Sequence, residues 1–242
     1  MKTLVVSMGY RGVPSKHFQC FLGLTRYPGL ALMSSSGDAM ITRGRAMIAS
    51  HFIQKTDAKV LVTIDADIVF RPEDVLKIAQ EAEHKDIVTG MYICRSKETT
   101  KPASIIESPI TFRSDELPVE IRWGATGFMA VNRRVFEFLK ADLPLCHPND
   151  FNFWPFYDPL YVDEPDTGQT IYLSEDYALC ERARRAGFKV WVDPTIRLTH
   201  LGEYGYRLED MLQKPPADFA CITLDREGMS YTAEGHLAQV AG

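Results

Sequence analysis

The sequence predicts an α/β fold: a mixed, mostly parallel sheet flanked by helices. Three observations predict it. Strand-like and helix-like segments alternate through the first half of the chain. The run Lys59–Ile64, Lys-Val-Leu-Val-Thr-Ile, has the continuous β-prone character of a strand buried on both faces. The chain has 242 residues, 45% hydrophobic and 24% charged, which suits one α/β domain with some elaboration.

The elements follow in order. Leu4 to Met8 reads as a buried first strand, ended by the turn formers Gly9 and Gly12. Pro14 to Leu24 reads as a helix and Leu30 to Ser35 as a second strand. The turn-rich Ser34–Asp38 leads into a helix from about Ile41 to Gln54, with Arg43 and Arg45 in its first turns. After the central strand, Arg71-Pro72-Glu73-Asp74 opens a helix that continues to about His84. Pro72 suits a first helical position, and Glu73 and Asp74 suit the positive end of the helix dipole. Ile87 to Ile93 is the next strand.

From Cys94 to Arg122 the pattern weakens, with prolines at 102, 109 and 118, and irregular hairpins are expected. Gly124 to Val131 reads as a glycine-punctuated strand and Arg133 to Lys140 as a helix. His147 to Asp166 is a long loop dense in aromatics and prolines. Within it, Phe151-Asn152-Phe153-Trp154-Pro155-Phe156-Tyr157 reads either as an acceptor platform or as a hydrophobic flap packed on the domain or in a dimer contact. Ser174 to Ala186 reads as a helix that Ser174 can cap, with Glu175 and Asp176 in its first turn. Lys189 to Val192 is a short strand. Periodicity fades after Gly202, and the last dozen residues read as a loose tail.

Composition narrows the function classes. The formal net charge is -5, which counts against a phosphate-gripping basic face and so against nucleic acid. Five cysteines, an odd number with no CxxC, count against a zinc ribbon or a disulfide framework. Reduced, packed thiols in a cytoplasmic protein are the expectation. The N-terminal apolar run is too short for a signal-peptide core, and no apolar stretch approaches the ~20 residues of a membrane span.

The most informative stretch is Thr63-Ile64-Asp65-Ala66-Asp67-Ile68-Val69. Two carboxylates leaving a buried strand repel each other unless a cation or hydrogen-bond donors compensate. A divalent ion such as Mg²⁺ or Mn²⁺ would do so and would bridge a diphosphate. The alternative is a strand-end turn in which the aspartates bond backbone N–H groups. Parallel sheets bind ligands at the carboxyl ends of their strands, where Asp65 and Asp67 stand.

Five stretches, in this order and spacing, resemble the GT-A (Rossmann-like) glycosyltransferases, especially those similar to family 2. They are Arg43 to Phe52 with Val60 to Ile68 and Arg71-Pro72-Glu73-Asp74-Val75; Ile87 to Tyr92; Trp123-Gly124-Ala125-Thr126-Gly127-Phe128-Met129; Ser174 to Cys180 with Ala186-Gly187-Phe188; and Thr199-His200-Leu201-Gly202. The resemblance covers about Leu4 to Gly205. It implies a nucleotide-sugar half over about 1–95, an acceptor half over about 96–205, and a C-terminal extension over 206–242.

The resemblance also implies roles. Asp67 coordinates the metal, Mn²⁺ or Mg²⁺. Asp65, with Ala66 between, contacts the ribose or reaches the metal through water, and His200 completes the protein ligands. Asp176 is the general base that deprotonates the acceptor hydroxyl, and Glu175 orients acceptor or sugar. Inversion at the anomeric carbon follows. Trp123, Gly124 and Gly127 belong to the acceptor and sugar side. The donor it implies is a nucleotide-sugar, most commonly UDP-linked. The acceptor stays open among glycan, protein, small molecule and modified nucleic-acid base.

Read from the residues alone, each role has a structural counterpart. Arg43 and Arg45 could meet a phosphate or nucleobase, or pair with acidic neighbours. Asp38 could bind base or ribose, or cap the helix. Glu175 and Asp176 could serve only the helix dipole, and His200 could be a packed structural histidine. The chain departs from many relatives in carrying Ala46 where they carry asparagine. Two other classes stay open. One is a haloacid dehalogenase-like phosphatase, which also uses a strand followed by DxD. The other is a non-catalytic sugar- or partner-binding module.

Overall fold

The computed structural model describes residues 3–10, 12–95, 101–105, 110–112, 117–147, 151–164, 168–202, 204–208, 210, 222–226 and 229–233. The first half follows the predicted alternation: β1 (Thr3–Gly9), α1 (Ser15–Gly23), β2 (Leu30–Ser36), α2 (Ile41–Lys55) and β3 (Val60–Asp65). Next come β4 (Ile68–Val69), α3 (Pro72–His84) and β5 (Ile87–Met91). The second half contains β6 (Ile110–Phe112), β7 (Val119–Ile121), β8 (Phe128–Asn132) and α4 (Arg133–Leu139). It continues with β9 (Leu160–Asp163), β10 (Thr170–Leu173), α5 (Glu175–Arg185) and β11 (Val190–Arg197). The last strands are β12 (Thr199–Leu201), β13 (Gly205–Tyr206), β14 (Ile222–Arg226) and β15 (Met229–Ala233).

The central sheet has seven strands in the order β2-β1-β3-β8-β5-β11-β7. β8 lies antiparallel between β3 and β5, β7 lies antiparallel on the edge, and the other five strands run one way. This is the mixed, mostly parallel sheet that the sequence predicts. Side chains alternate along the strands, so Leu4 and Val6 enter one core and Val5 the other. Helices α2, α4 and α5 cover the first face and α1 and α3 the second. Burial on both faces is why the strands read as apolar runs.

Three expectations change. The strand expected from Gly124 begins only at Phe128, because Gly124 and Ala125 are irregular and Thr126-Gly127 form a turn. β11 extends to Arg197, past the expected Val192, with a register shift against β5 between Asp193 and Arg197. Of the last dozen residues, expected as a loose tail, Tyr231–Ala233 belong to β15, which pairs antiparallel with β14, and β14 pairs in parallel with β6. The rest of the expected tail, from 234 on, lies outside the described residues.

Candidate functional site

The carboxyl ends of β1, β2 and β3 open into a cleft of about 620 Å³ lined by Met8, Gly9, Tyr10, Ser35, Ser36, Asp38, Asp65, Ala66, Asp67 and Arg95, among others. Strand register builds this edge: Met8 pairs with Asp65 across β1 and β3, and Gly9 with Ser36 across β1 and β2. Gly9 has a steric reason to be glycine, since a Cβ there would come within 3.0 Å of the Ala66 Cβ. A side chamber of about 280 Å³ shares Ser35, Ser36, Asp38 and Gly44 with the cleft and adds Met33, Met47, His51 and Phe151.

Asp67 and His200, 133 positions apart by their numbers (200 minus 67), meet because β12 pairs antiparallel with β4. His200 stands opposite Ile68, and the Leu201 N–H donates to the Asp67 carbonyl at 2.7 Å. The His200 Nε2 then lies 3.5 Å from Asp67 Oδ2. His200 Nδ1 lies 2.8 Å from the Ile93 carbonyl oxygen. A carbonyl only accepts, so Nδ1 carries the hydrogen and Nε2 is the nitrogen left facing Asp67. Asp67 Oδ1 is buried with no hydrogen-bond partner among the described residues. Arg95 approaches from the cleft, its guanidinium 3.2 Å from Asp67 Oδ2. Burial pushes the Asp67 carboxyl up, but His200 and Arg95 together bring it below the usual carboxylate range.

This arrangement fits a divalent cation. A carboxylate donates an electron pair, and so does an imidazole nitrogen once an ion stands in place of any proton on it; a backbone bond fixes the ring as metal-binding histidines usually are. Among the described residues no group of three or more His, Cys, Asp or Glu side chains could hold a metal. An ion here would take two protein donors and fill its remaining positions from water and phosphate, the usual habit of Mg²⁺ at phosphate sites.

Asp65 is held differently. Arg45, on α2 and 2% exposed, donates one NH₂ to both Asp65 oxygens, at 2.9 and 3.0 Å. The Arg45 Nε lies 3.8 Å from Glu175 Oε1, so one guanidinium links the end of β3 to the start of α5. Burial would lower the guanidinium's pKa, but Asp65 and Glu175 hold it above its ordinary value. Burial lifts both carboxyls above their usual range. Arg45 offsets this only in part, while Asp67 adds to the shift of Asp65 and Asp176 to that of Glu175. Asp176, next along α5, accepts at Oδ1 from the Ser174 hydroxyl at 2.5 Å and the Tyr177 N–H at 2.8 Å. The expected Ser174 cap is therefore absent: Ser174 bonds Asp176, and Asp176 takes the free N–H of the first turn.

On the other rim, Arg43 forms a two-pronged pair with Asp38, at 2.9 Å to each oxygen, and Asp38 also accepts from the Met40 N–H. Trp123 is buried, stacks on Tyr177 and donates to Glu181 at 3.0 Å. Gly124 donates to the Cys180 sulfur at 3.4 Å. Gly127 accepts from the Asp65 N–H and donates to the Tyr92 hydroxyl, and a Cβ there would run into that hydroxyl. Of the residues predicted from sequence, Asp38, Asp65, Ala66 and Asp67 line the cleft, and Arg43 is turned onto Asp38. His200, Arg45 and Glu175 are each in contact with a lining aspartate or its partner arginine. Trp123 and Gly124 pack against α5, and the Gly127 carbonyl accepts from the Asp65 N–H at the strand end.

Three residues at the site escape the sequence reading. Arg95 lies just beyond β5, and its arginine in a patternless stretch gave no periodic signal. Tyr92 sets its ring edge-on to His200, with centroids 5.3 Å apart. His17 is buried between Ser7 Oγ at 2.8 Å and the Ile68 carbonyl at 2.7 Å, tying the residue after Asp67 to β1. Burial lowers the His17 pKa, in keeping with a neutral ring that donates to the carbonyl and accepts from the serine. Among the described residues, Cys20, Cys94, Cys146 and Cys180 are free thiols, and no helix is long and apolar enough to cross a membrane.

No family model and no curated protein matches this chain. Solved structures do, at the level of fold. A197 from STIV matches with a TM-score of 0.58 and 15% identity over 100% of this chain and 99% of that one. GalNAc-T7, solved with UDP, GalNAc and Mn²⁺, matches with a TM-score of 0.51 and 13% identity over 86% of this chain. The match takes in 44% of GalNAc-T7, so this chain corresponds to less than half of that protein. The architecture is the GT-A-like α/β fold that the sequence predicts.

Proposed function

We propose that this chain is a metal-dependent glycosyltransferase that takes a sugar from a UDP-linked donor and passes it to an acceptor hydroxyl. The observation that carries the reading is the meeting of Asp67 and His200 at a cleft on the strand ends, with the Asp67 Oδ1 unpaired and the His200 tautomer set by Ile93. The fold shared with a protein solved with UDP, GalNAc and Mn²⁺ supports it.

Asp67 and His200 would hold the Mn²⁺ or Mg²⁺. When bound, that ion offsets the charge that develops on the departing diphosphate. Asp65, neutralised by Arg45, would face the nucleotide rather than add a second bare carboxylate. Asp38, steadied by Arg43, lines the cleft at the mouth of the side chamber and would bond ribose or base. Asp176 would take the acceptor's proton at Oδ2, since its described bonds fall on Oδ1, and direct attack gives inversion. Glu175, whose Oε1 lies 3.8 Å from the Arg45 Nε, would orient the sugar. The phosphatase alternative needs Asp65 as a nucleophile, yet both of its oxygens accept from Arg45.

Release of UDP from a UDP-sugar panel in Mn²⁺ tests the reading. Slow, chelator-sensitive release is expected, lowered about 100-fold by Asp176→Asn with binding retained. Phosphate release from simple monoesters, with UDP-sugars untouched, would contradict it.

A further inference from the structure

The cations around the cleft differ in what holds them. Arg43 is spent on Asp38, and Arg45 is buried between Asp65 and Glu175. Arg95 lines the cleft itself, with half its side chain exposed, and reaches the same Asp67 oxygen that faces His200. Its guanidinium also donates to the Leu201 carbonyl at 3.3 Å. Arg95 therefore sits against the position that a divalent ion shared by Asp67 and His200 would take. A guanidinium and a divalent ion repel, and an ion placed between Asp67 Oδ2 and His200 Nε2 would contest the oxygen that Arg95 holds, even with Oδ1 free. The cleft walls otherwise present the carboxylates Asp38, Asp65 and Asp67 to any incoming diphosphate.

We propose that Arg95 is a placeholder cation that neutralises Asp67 before the metal binds and, once displaced, swings onto the diphosphate of the nucleotide. This rests on the metal and nucleotide reading above and adds a residue to it. The arginine stem is long and half exposed, and its planar fork suits phosphate oxygens. The exchange makes metal and nucleotide binding mutually reinforcing. The metal frees Arg95 for the phosphates, and the phosphates draw Arg95 off the metal's ligand. By linkage the two effects are equal in size.

The test is calorimetric titration of Mn²⁺ into the full chain, alone and with saturating UDP, for wild type, Arg95→Met and Arg95→Lys. Circular dichroism melting confirms that each variant folds. Arg95→Met is expected to bind Mn²⁺ alone about 5-fold more tightly than wild type. Its UDP-induced gain in Mn²⁺ affinity should be about 10-fold smaller, with Arg95→Lys in between. A merely structural arginine would weaken both titrations together. Mn²⁺ affinity no tighter in Arg95→Met, or an unchanged UDP-induced gain, overturns the proposal while wild-type Mn²⁺ binding keeps the metal reading. Wild type that binds no Mn²⁺ with or without UDP overturns both.

Discussion

Asp65-Ala66-Asp67 at the end of β3 and Glu175-Asp176 at the start of α5 are both short acidic stretches, and Arg45 touches one member of each. The touched members, Asp65 and Glu175, are raised by burial and serve as the arginine's counter-charges. The outer members are held by other means. Asp67 is fixed over long range, through the β4–β12 pairing and its backbone bond to Leu201. Asp176 is fixed locally, by Ser174 and the first turn of its own helix. The comparison teaches that two adjacent carboxylates need not share a role. One anchors an arginine that joins two elements, and the other is held apart from that arginine by different bonds.

The largest expected effect comes from removing the shared arginine. Arg45→Met strands two partly buried carboxylates and is expected to cost about 3 kcal/mol of stability by urea unfolding at pH 7. Adding Asp65→Asn and Glu175→Gln should recover much of that loss, because no bare charge remains. A loss under about 1 kcal/mol for Arg45→Met alone would show that Asp65 and Glu175 do not depend on the arginine.

A third acidic pair sharpens it without an arginine. Glu81 on α3 and Asp193 on β11 interact beside Lys77, whose Nζ lies 2.7 Å from Asp193 Oδ2. Burial first, then the Asp193 charge, pushes Glu81 up to about 7 from its ordinary 4.5. The folded chain then holds that proton more tightly than the unfolded chain. The stability this gives is complete below about pH 4.5 and is lost as pH rises through about 7. Glu81→Gln should flatten that slope by on the order of 1 kcal/mol, a figure discounted because Glu81 is only part buried. Unfolding curves at pH 5 and pH 7.5 read it, and a slope unchanged in the variant would contradict the account.

What the sequence made legible was local. The buried run Val60–Ile64, the Pro72-Glu73-Asp74 helix start and the acidic start of α5 all follow from period, propensity and dipole. They placed Asp65, Asp67, Glu175 and Asp176 on the right elements. The antiparallel insertion of β8 between β3 and β5 depends on a long-range register that no local period encodes. The same holds for the pairing of β14 with β6 and for the bond from His17 to Ile68. Arg95 was illegible for a related reason: its meaning lies in its contact with Asp67, made between different elements of the fold.

The most direct measurement is calorimetric titration of UDP in the presence of Mn²⁺ for wild type, Asp67→Asn and His200→Ala. Chelator-sensitive binding is expected in wild type, weakened about 10- to 100-fold in each variant, with the melting temperature changed little. Wild-type affinity retained in both variants would contradict it, because the two side chains would then hold no ion that the nucleotide needs.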